Sequence, residues 1–264
     1  MNQWNFDPLE LCVLAVALAL YWRRARTLAQ RGRPVPRLRL ASFGAGLLTL
    51  FIALASPIDT IGEERLFSVH MLQHLLLGDV GALLLVLGLD GRLLRPLLRM
   101  RLVRRLRVLA HPVVALPLWS ANFVVWHLPA LFDAALRNDA IHALQHSLFV
   151  ALGMLLWAAL LEPLPGPAWF TAPWKIPYVL AMWLVMLVLS QVFIWSSHPY
   201  YIRYDLTDQK AGGGVMLVES AFTMLPALVW VLLKVLRESE ARQRLVDAGV
   251  APATAARAAR YGRA

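Results

Sequence analysis

The sequence predicts an all-α membrane protein, a bundle of seven transmembrane helices. Hydrophobic residues make up 59% of the 264 residues, and the mean hydropathy is +0.59. Soluble domains are nearer half apolar, so this composition excludes an ordinary soluble fold. Seven apolar runs approach the ~20 residues that cross a bilayer core. They lie near 6–22, 38–56, 67–88, 110–128, 142–161, 175–196 and 213–236.

The first run is the weakest, because Glu10 interrupts it near its start. Acidic rather than basic residues precede it, no small-residue cleavage pattern follows, and the positive charge comes afterwards. We therefore expect a retained helix rather than a removable signal peptide. Cys12 in this helix is the one cysteine of the chain, which excludes an internal disulfide. We expect it to be a small buried apolar residue, with a lone soft ligand or a transfer thiol as the alternative.

The basic residues predict the orientation. Of the 26 Lys and Arg, 22 lie in 23–39, 92–107 and 234–263 or at Lys175, on one face of the predicted bundle. Basic residues concentrate in cytoplasmic loops. The N-terminus is therefore predicted outside and the C-terminus in the cytoplasm.

The same charge bears on domain organisation and partners. We expect a transmembrane domain of residues 1–237 and a basic cytoplasmic tail of residues 238–264, a short helix that frays towards its end. The net charge is +10, but no aromatic and basic recognition module accompanies it, so nucleic acid is not an expected partner. Attraction to the anionic headgroups of the lipid bilayer accounts for the charge.

Two histidine pairs share one pattern. His-x-Leu-Gln-His occurs at 70–74 and again at 142–146, in the first turns of the third and fifth predicted helices. Residues four apart lie on the same side of a helix, one turn apart. This spacing allows two imidazoles to approach one ion. Gln73 and Gln145 face elsewhere, and we expect them to be hydrogen-bonding groups around the site.

The predicted orientation brings more histidines to the same level. His127 and His198 end the fourth and sixth helices on the outer side, 57 and 56 residues after the first histidine of each pair. We therefore interpret helices 3–4 and 5–6 as a parallel duplication. Six of the seven histidines share this outer layer: His70, His74, His127, His142, His146 and His198.

Ionisable groups in a membrane are costly and mark functional sites, so we interpret this layer as a metal or haem site. Imidazole suits copper, zinc, nickel and iron, and softer neighbours favour monovalent copper. Met71, Met216 and Met224 lie on the third and seventh helices, but we expect most methionines to be ordinary core or lipid-facing residues rather than ligands. Metal-bound histidines need hydrogen-bond partners, and the candidates are Asp133, Asp139, Asp205 and Glu219. Asp79 lies off the histidine face. We expect it either to pair with a polar side chain, Asn122 or Gln191, or to belong to a path inward.

Three stretches resemble the CtaG family of bacterial membrane proteins implicated in cytochrome c oxidase assembly. They are "HMLQHLLLGDVGALLLVLG" (70–88), "VVWHLPALFDAALRNDAIHALQHSLF" (124–149) and "DQKAGG" (208–213). After Asp208 and Gln209 the chain departs from the family, which more usually has a Trp-containing helix start there. The positions that match the family's histidines are His70, His74, His127, His142 and His146, and His198 is added by the duplication.

The resemblance implies a multi-pass protein of the bacterial cytoplasmic membrane. It would work with cytochrome c oxidase subunit I and other assembly factors, supplying copper to the CuB centre. We expect a copper chaperone rather than an enzyme, since no phosphate-binding glycine loop or nucleophile motif appears.

Three alternatives stay open. One is an electron-transfer protein that holds haem b between one histidine of helix 3 and one of helix 5. Another is a metal or proton transporter whose inward path includes Asp79, Asn122 and Gln191. The third is a structural assembly scaffold whose histidines only form hydrogen bonds between helices.

Overall fold

The computed structural model describes residues 4–261, and every regular element in that range is helical. Short helical turns within residues 91–110 join α4 to α5. The principal helices are α1 (Pro8–Gln30), α2 (Arg37–Ala55), α3 (Pro57–Glu64), α4 (Phe67–Leu87), α5 (Pro112–Trp126), α6 (Pro129–Ala135), α7 (Asp139–Leu161), α8 (Ala172–Ile194), α9 (Leu206–Asp247) and α10 (Pro252–Tyr261).

Five of the described helices, α2, α4, α7, α8 and α9, are long and apolar enough to cross a membrane. A sixth span arises if Arg101–Ala110 and α5, which meet at 77°, are one broken span. Helix α1 coincides with the first predicted run but carries Glu10 and three arginines. The helical class is thus confirmed, while the count of seven spans and the orientation stay predictions.

Side chains near the ends of α7 and α4 fix where these two helices begin. Asn138 caps α7 by accepting from the backbone N–H groups of Ala140 and Ile141 at 3.0 and 3.1 Å. Helix α4 has no cap of its own. Instead Asp208 of α9 accepts from the backbone N–H of Phe67, from that of Ser68 at 3.3 Å and from the Ser68 hydroxyl at 2.6 Å. Two N-terminal N–H groups that lack helical partners are satisfied in this way, and the start of α4 is tied to α9.

Two glycines allow the close helix contacts around α4. A Cβ atom at Gly153 of α7 would lie 1.9 Å from the carbonyl oxygen of Gly78. A Cβ atom at Gly62 of α3 would lie 2.9 Å from the Cα of His70. A side chain at either position would force the backbones apart, so both glycines are required by packing rather than by backbone freedom. Helix α4 is π-helical at Leu76–Gly81, beside the first of these crossings.

The basic segments meet at one end of the bundle. The guanidinium of Arg24 donates to the carbonyl of Arg92 at 2.7 Å, and that of Arg107 donates to the carbonyl of Pro165 at 2.6 Å. Arg260 of α10 binds Glu162 at 2.8 Å. The opposite end gathers the loops around the histidines.

The structure bears on two expectations about the periphery. Helix α9 runs continuously past residue 237 to Asp247, and the chain then turns back as α10, whose Arg260 donates to the loop after α7. The division into a transmembrane domain and a cytoplasmic tail at residue 237 stays a prediction. Residues 262–264 of that tail lie outside the described residues. Cys12 was expected to be buried, but its side chain is exposed on α1.

Candidate metal centre

Three histidines from two helices meet at one point. The i,i+4 spacing puts His70 and His74 on one face of α4, with ring centroids 4.3 Å apart. His142 of α7 stacks on His70 at 5.6 Å. One ring nitrogen from each of the three lies within 4.8 Å of the other two, and all three residues are buried. Three nitrogen donors this close together could hold one metal ion.

Two more histidines extend this group. The ring of His146 lies 4.0 Å from that of His142 and 5.5 Å from that of His74. The ring of His127, which follows α5, lies 6.3 Å from that of His74. We call these five buried residues the histidine cluster: His70, His74, His127, His142 and His146.

In two cluster members, a hydrogen bond at one ring nitrogen determines which nitrogen stays free to bind a metal. His142 Nδ1 lies 2.6 Å from Glu63 Oε1, and His127 Nδ1 lies 2.6 Å from the carbonyl oxygen of Phe123. Both oxygens are acceptors, so each Nδ1 carries the hydrogen and each Nε2 offers a lone pair. Metal-ligating histidines are typically held by a carboxylate or carbonyl on the other nitrogen in this way.

Several ring nitrogens of the cluster have no hydrogen-bond partner. Both nitrogens of His70 and of His74, and the Nε2 atoms of His142 and His146, are buried without one. Buried polar atoms are nearly always partnered, and exceptions call for a bound water or ion. The donors present therefore fit a metal ion.

Aromatic rings surround the cluster. Phe132 lies edge-on to His70 at 5.0 Å, and Phe149 stacks on His74 at 4.5 Å. These apolar rings keep water away and favour neutral imidazoles, since burying a charge is costly. Neutral imidazole is the form that binds metal.

A polar layer behind α4 holds the helix in place. Gln73 donates to the carbonyl of Ala53 at 3.0 Å and to Asp59 at 2.7 Å, and Asn5 also donates to Asp59 at 3.1 Å. Burial raises the pKa of Asp59, and these hydrogen bonds oppose the rise. Gln73 therefore faces away from the histidines, as the sequence predicts.

The loop before α9 covers the cluster. The side-chain amide of Gln209 binds the backbone of residues 200–204 at both its nitrogen and its oxygen. The Tyr201 hydroxyl donates to the carbonyl of His127 at 2.7 Å, and the Tyr204 hydroxyl donates to the carbonyl of Gly62 at 2.7 Å. Asp208 thus connects α9 to α4. Gln209 holds the two tyrosines that bind the backbone at His127 and at Gly62 of α3.

The remaining predicted residues lie elsewhere. His198 is exposed and contacts Tyr200 rather than the cluster, although the duplication predicts it there. The duplicated pattern thus places its two final histidines in different environments, with His127 buried and His198 exposed. The accessory candidates also divide. Asp133 lies 3.9 Å from Arg137, Asp139 is exposed, and the buried side chain of Gln145 has no hydrogen-bond partner. The carboxylate of Glu219 lies against Asp79 and Thr223 rather than against the histidines.

Asp79 pairs with neither of its expected partners. It accepts from Trp157 Nε1 at 2.8 Å and from the Thr223 hydroxyl at 2.9 Å. Asn122 and Gln191 instead accept from tryptophans four residues later on their own helices. Asp79 belongs to the π-helical segment of α4, so the local widening turns this carboxylate towards α7 and α9.

Sequence reasoning missed Glu63, Tyr201 and Tyr204. Glu63 lies on α3, a separate short helix, so no periodicity links it to His142. The tyrosines act through their hydroxyls on backbone carbonyls, which leave no sequence pattern. A useful signal existed in the Asp-Gln pair of "DQKAGG", whose Gln209 holds both tyrosines.

The fold and the site define a class, the all-helical proteins with several membrane-length apolar helices and a buried histidine cluster at one end. The chain belongs to the cytochrome c oxidase caa3 assembly factor family, Caa3_CtaG, whose model matches residues 19–238. The predicted family membership is confirmed.

Curated relatives come from mycobacteria. Uncharacterized proteins of Mycobacterium bovis and Mycobacterium tuberculosis are each 26% identical over 275 residues, covering 94% of this chain and 41% of theirs. One of Mycobacterium leprae is 26% identical over 259 residues, covering 87% and 38%. This chain thus spans less than half the length of these relatives. No solved structure matches it significantly.

Proposed function

We propose that the protein holds copper at the histidine cluster and delivers it to the CuB centre of cytochrome c oxidase subunit I, alongside other assembly factors. The observation that carries the proposal is the convergence of His70, His74 and His142 within 4.8 Å. Membership of an oxidase assembly family supports the destination. The metal is cargo here, and the protein needs no catalytic step.

Neutral imidazoles suit a carrier. They accept copper, zinc, nickel or iron, and five of them offer more donors than one ion needs. An ion can therefore exchange ligands within the cluster without losing all of them. Release to a partner is easier from such a site than from a closed thiolate cage, and Cys12, on α1, is not part of the cluster.

The proposed topology has seven spans in the bacterial cytoplasmic membrane, with the N-terminus outside and the C-terminus inside. The basic end of the bundle then faces the cytoplasm, following the positive-inside rule, and contacts anionic headgroups of the bilayer. The histidine cluster faces outward. Copper held there is outside the cytoplasmic pool.

The geometry favours an ion over haem b. A haem needs an open slot between two axial imidazoles, in which the macrocycle lies. Here a third donor is within 4.8 Å of the other two, and Phe132 and Phe149 pack against the rings. The macrocycle would occupy the space of these side chains.

Metal analysis and an optical spectrum of detergent-purified protein test the proposal, beside the variant His74→Ala/His142→Ala. His111→Ala is the matched control, because that ring packs on Trp169 away from the cluster. We expect copper in the parent and the control, and none in the double variant. Copper retained by the double variant contradicts the site. A Soret band in the parent would identify a haem protein instead. If the parent contains neither metal nor haem, the structural assembly scaffold is the remaining function.

Transport is a second candidate function, favoured by Asp79. This buried carboxylate lies on α4 five residues beyond His74, at a π-helical segment, and such segments often occur at functional sites. Copper uptake into proteoliposomes that depends on Asp79 supports transport. Copper that binds but does not enter the vesicles leaves the protein a carrier.

A further inference from the structure

One contact in the histidine cluster pairs two atoms that cannot form a hydrogen bond as they stand. His127 Nε2 lies 3.3 Å from the thioether sulfur of Met71. Both residues are buried, Met71 at 1% and His127 at 7% exposure. They come from α4 and from the residue after α5, so tertiary packing and not local sequence brings them together.

The hydrogen of this imidazole is on its other nitrogen. His127 Nδ1 lies 2.6 Å from the carbonyl oxygen of Phe123, an atom that only accepts. Nδ1 therefore donates, and in the neutral ring Nε2 carries a lone pair. A doubly protonated ring would bury a positive charge against the rings of Phe123, Phe149 and Phe193, which is costly.

The contact thus sets a nitrogen lone pair against a thioether sulfur, which has no hydrogen to donate. A cation bound by both atoms makes this arrangement favourable. Zinc binds histidine nitrogen at about 2.0 Å and cysteine sulfur at about 2.3 Å. With bonds of that order, one ion could contact both atoms across their 3.3 Å separation.

We propose that Met71 Sδ and His127 Nε2 form a monovalent-copper position beside the three converging histidines, with His74 as a ligand common to both. This inference rests on the proposed function, because it assigns the oxidation state of the same cargo. Both nitrogens of His74 lack partners, and its ring is 6.3 Å from that of His127. Binding uses existing lone pairs, so these two atoms release no proton.

The sulfur gives the site its selectivity. Thioethers are soft ligands that favour monovalent copper, whereas imidazoles also accept zinc and divalent copper. Met71 therefore raises affinity for monovalent copper and leaves affinity for zinc unchanged. A Leu at this position keeps similar volume and removes the sulfur.

Anaerobic titration of detergent-purified protein with monovalent copper, against a chromophoric chelator, tests this selectivity. We compare the parent, Met71→Leu and the control Met182→Leu, a fully buried methionine of α8. We expect Met71→Leu to weaken monovalent copper binding by about tenfold or more, the scale of a lost metal-site contact. Zinc affinity stays within about twofold, and Met182→Leu changes neither.

A second measurement does not depend on a variant that folds. In selenomethionine-labelled parent protein loaded with monovalent copper, selenium-edge absorption should give one selenium in eight a copper neighbour, since the chain has 8 Met. If no selenium–copper distance is seen, or if Met71→Leu leaves copper affinity unchanged, Met71 is not a copper ligand. Copper binding by the histidines would still stand. A parent that binds no copper overturns the proposed function as well.

Discussion

Glu63 Oε1 accepts a hydrogen bond from His142 Nδ1 at 2.6 Å and so joins α3 to α7 across the histidine cluster. The bond occupies Nδ1 of His142 and leaves Nε2 as the nitrogen without a partner. Gly62, the residue before Glu63, allows α3 to approach the backbone of His70. A short helix that carries no metal ligand thus positions two of them.

Removal of the Glu63 carboxylate should weaken metal binding without removing a ligand. We expect Glu63→Ala to lower copper affinity by about 10–100-fold, because the orienting partner of His142 is lost. Glu63→Gln should lie between it and the parent, since an amide oxygen still accepts from Nδ1. Chelator competition measures both. Glu64→Ala, at the exposed neighbour, is the control, and parent-like affinity in Glu63→Ala would sink the assignment.

The crossing of α4 and α7 should not tolerate a methyl group. Gly153→Ala places a Cβ against the Gly78 carbonyl, and we expect a loss of about 1–3 kcal/mol in the free energy of unfolding, as for other overpacked sites. Thermal unfolding in detergent measures it. Gly44→Ala is the control, because its Cβ meets nothing within 4 Å and alanine favours helix. Equal stability in the two variants would contradict the tight crossing.

The loop over the cluster should depend on Gln209 more than on either tyrosine it holds. Gln209→Leu removes every hydrogen bond of the amide and leaves buried backbone groups without partners, at about 1–3 kcal/mol each. Tyr201→Phe removes a single bond, to His127, worth about 1 kcal/mol. We expect the melting temperature to fall further in Gln209→Leu. The control is Gln243→Leu, exposed on α9. If Tyr201→Phe lowered the melting temperature more than Gln209→Leu, the hydroxyl of Tyr201 would stabilise the loop more than the amide does.

Acid should remove stability that Asp90 contributes at the basic end. Burial alone would raise the pKa of Asp90, but the backbone N–H of Leu93 and the side chain of Arg92 outweigh it and lower the pKa. A carboxylate whose pKa is lowered in the folded state stabilises that state at pH values above its unfolded pKa of 3.8. This stabilisation is lost as the pH falls through the folded-state pKa. The melting temperature of Asp90→Asn should therefore lie below the parent's near neutrality. The gap should close as pH falls below about 4, and a constant gap would contradict the shift.

The sequence predicts the helical class, the apolar helices and the two histidine pairs because each depends on local periodicity. Spacing of four puts His70 with His74, and His142 with His146, whatever the helices pack against. It also predicts that Gln73 faces away from them. The duplication extends this reasoning to His198, and there the structure differs, since the residues after α8 leave His198 exposed while those after α5 bury His127.

Several relationships were decided only by tertiary structure. Which helices face each other cannot be read from a period, so the contacts of His142 with Glu63, of His127 with Met71 and of Asp79 with Thr223 had no local signal. They require close approach at Gly62 and Gly153, and the widened turn at Leu76–Gly81. The sequence by itself determined which side chains lie on each helix face. Packing in three dimensions determined which faces meet, because those contacts join residues dozens of positions apart.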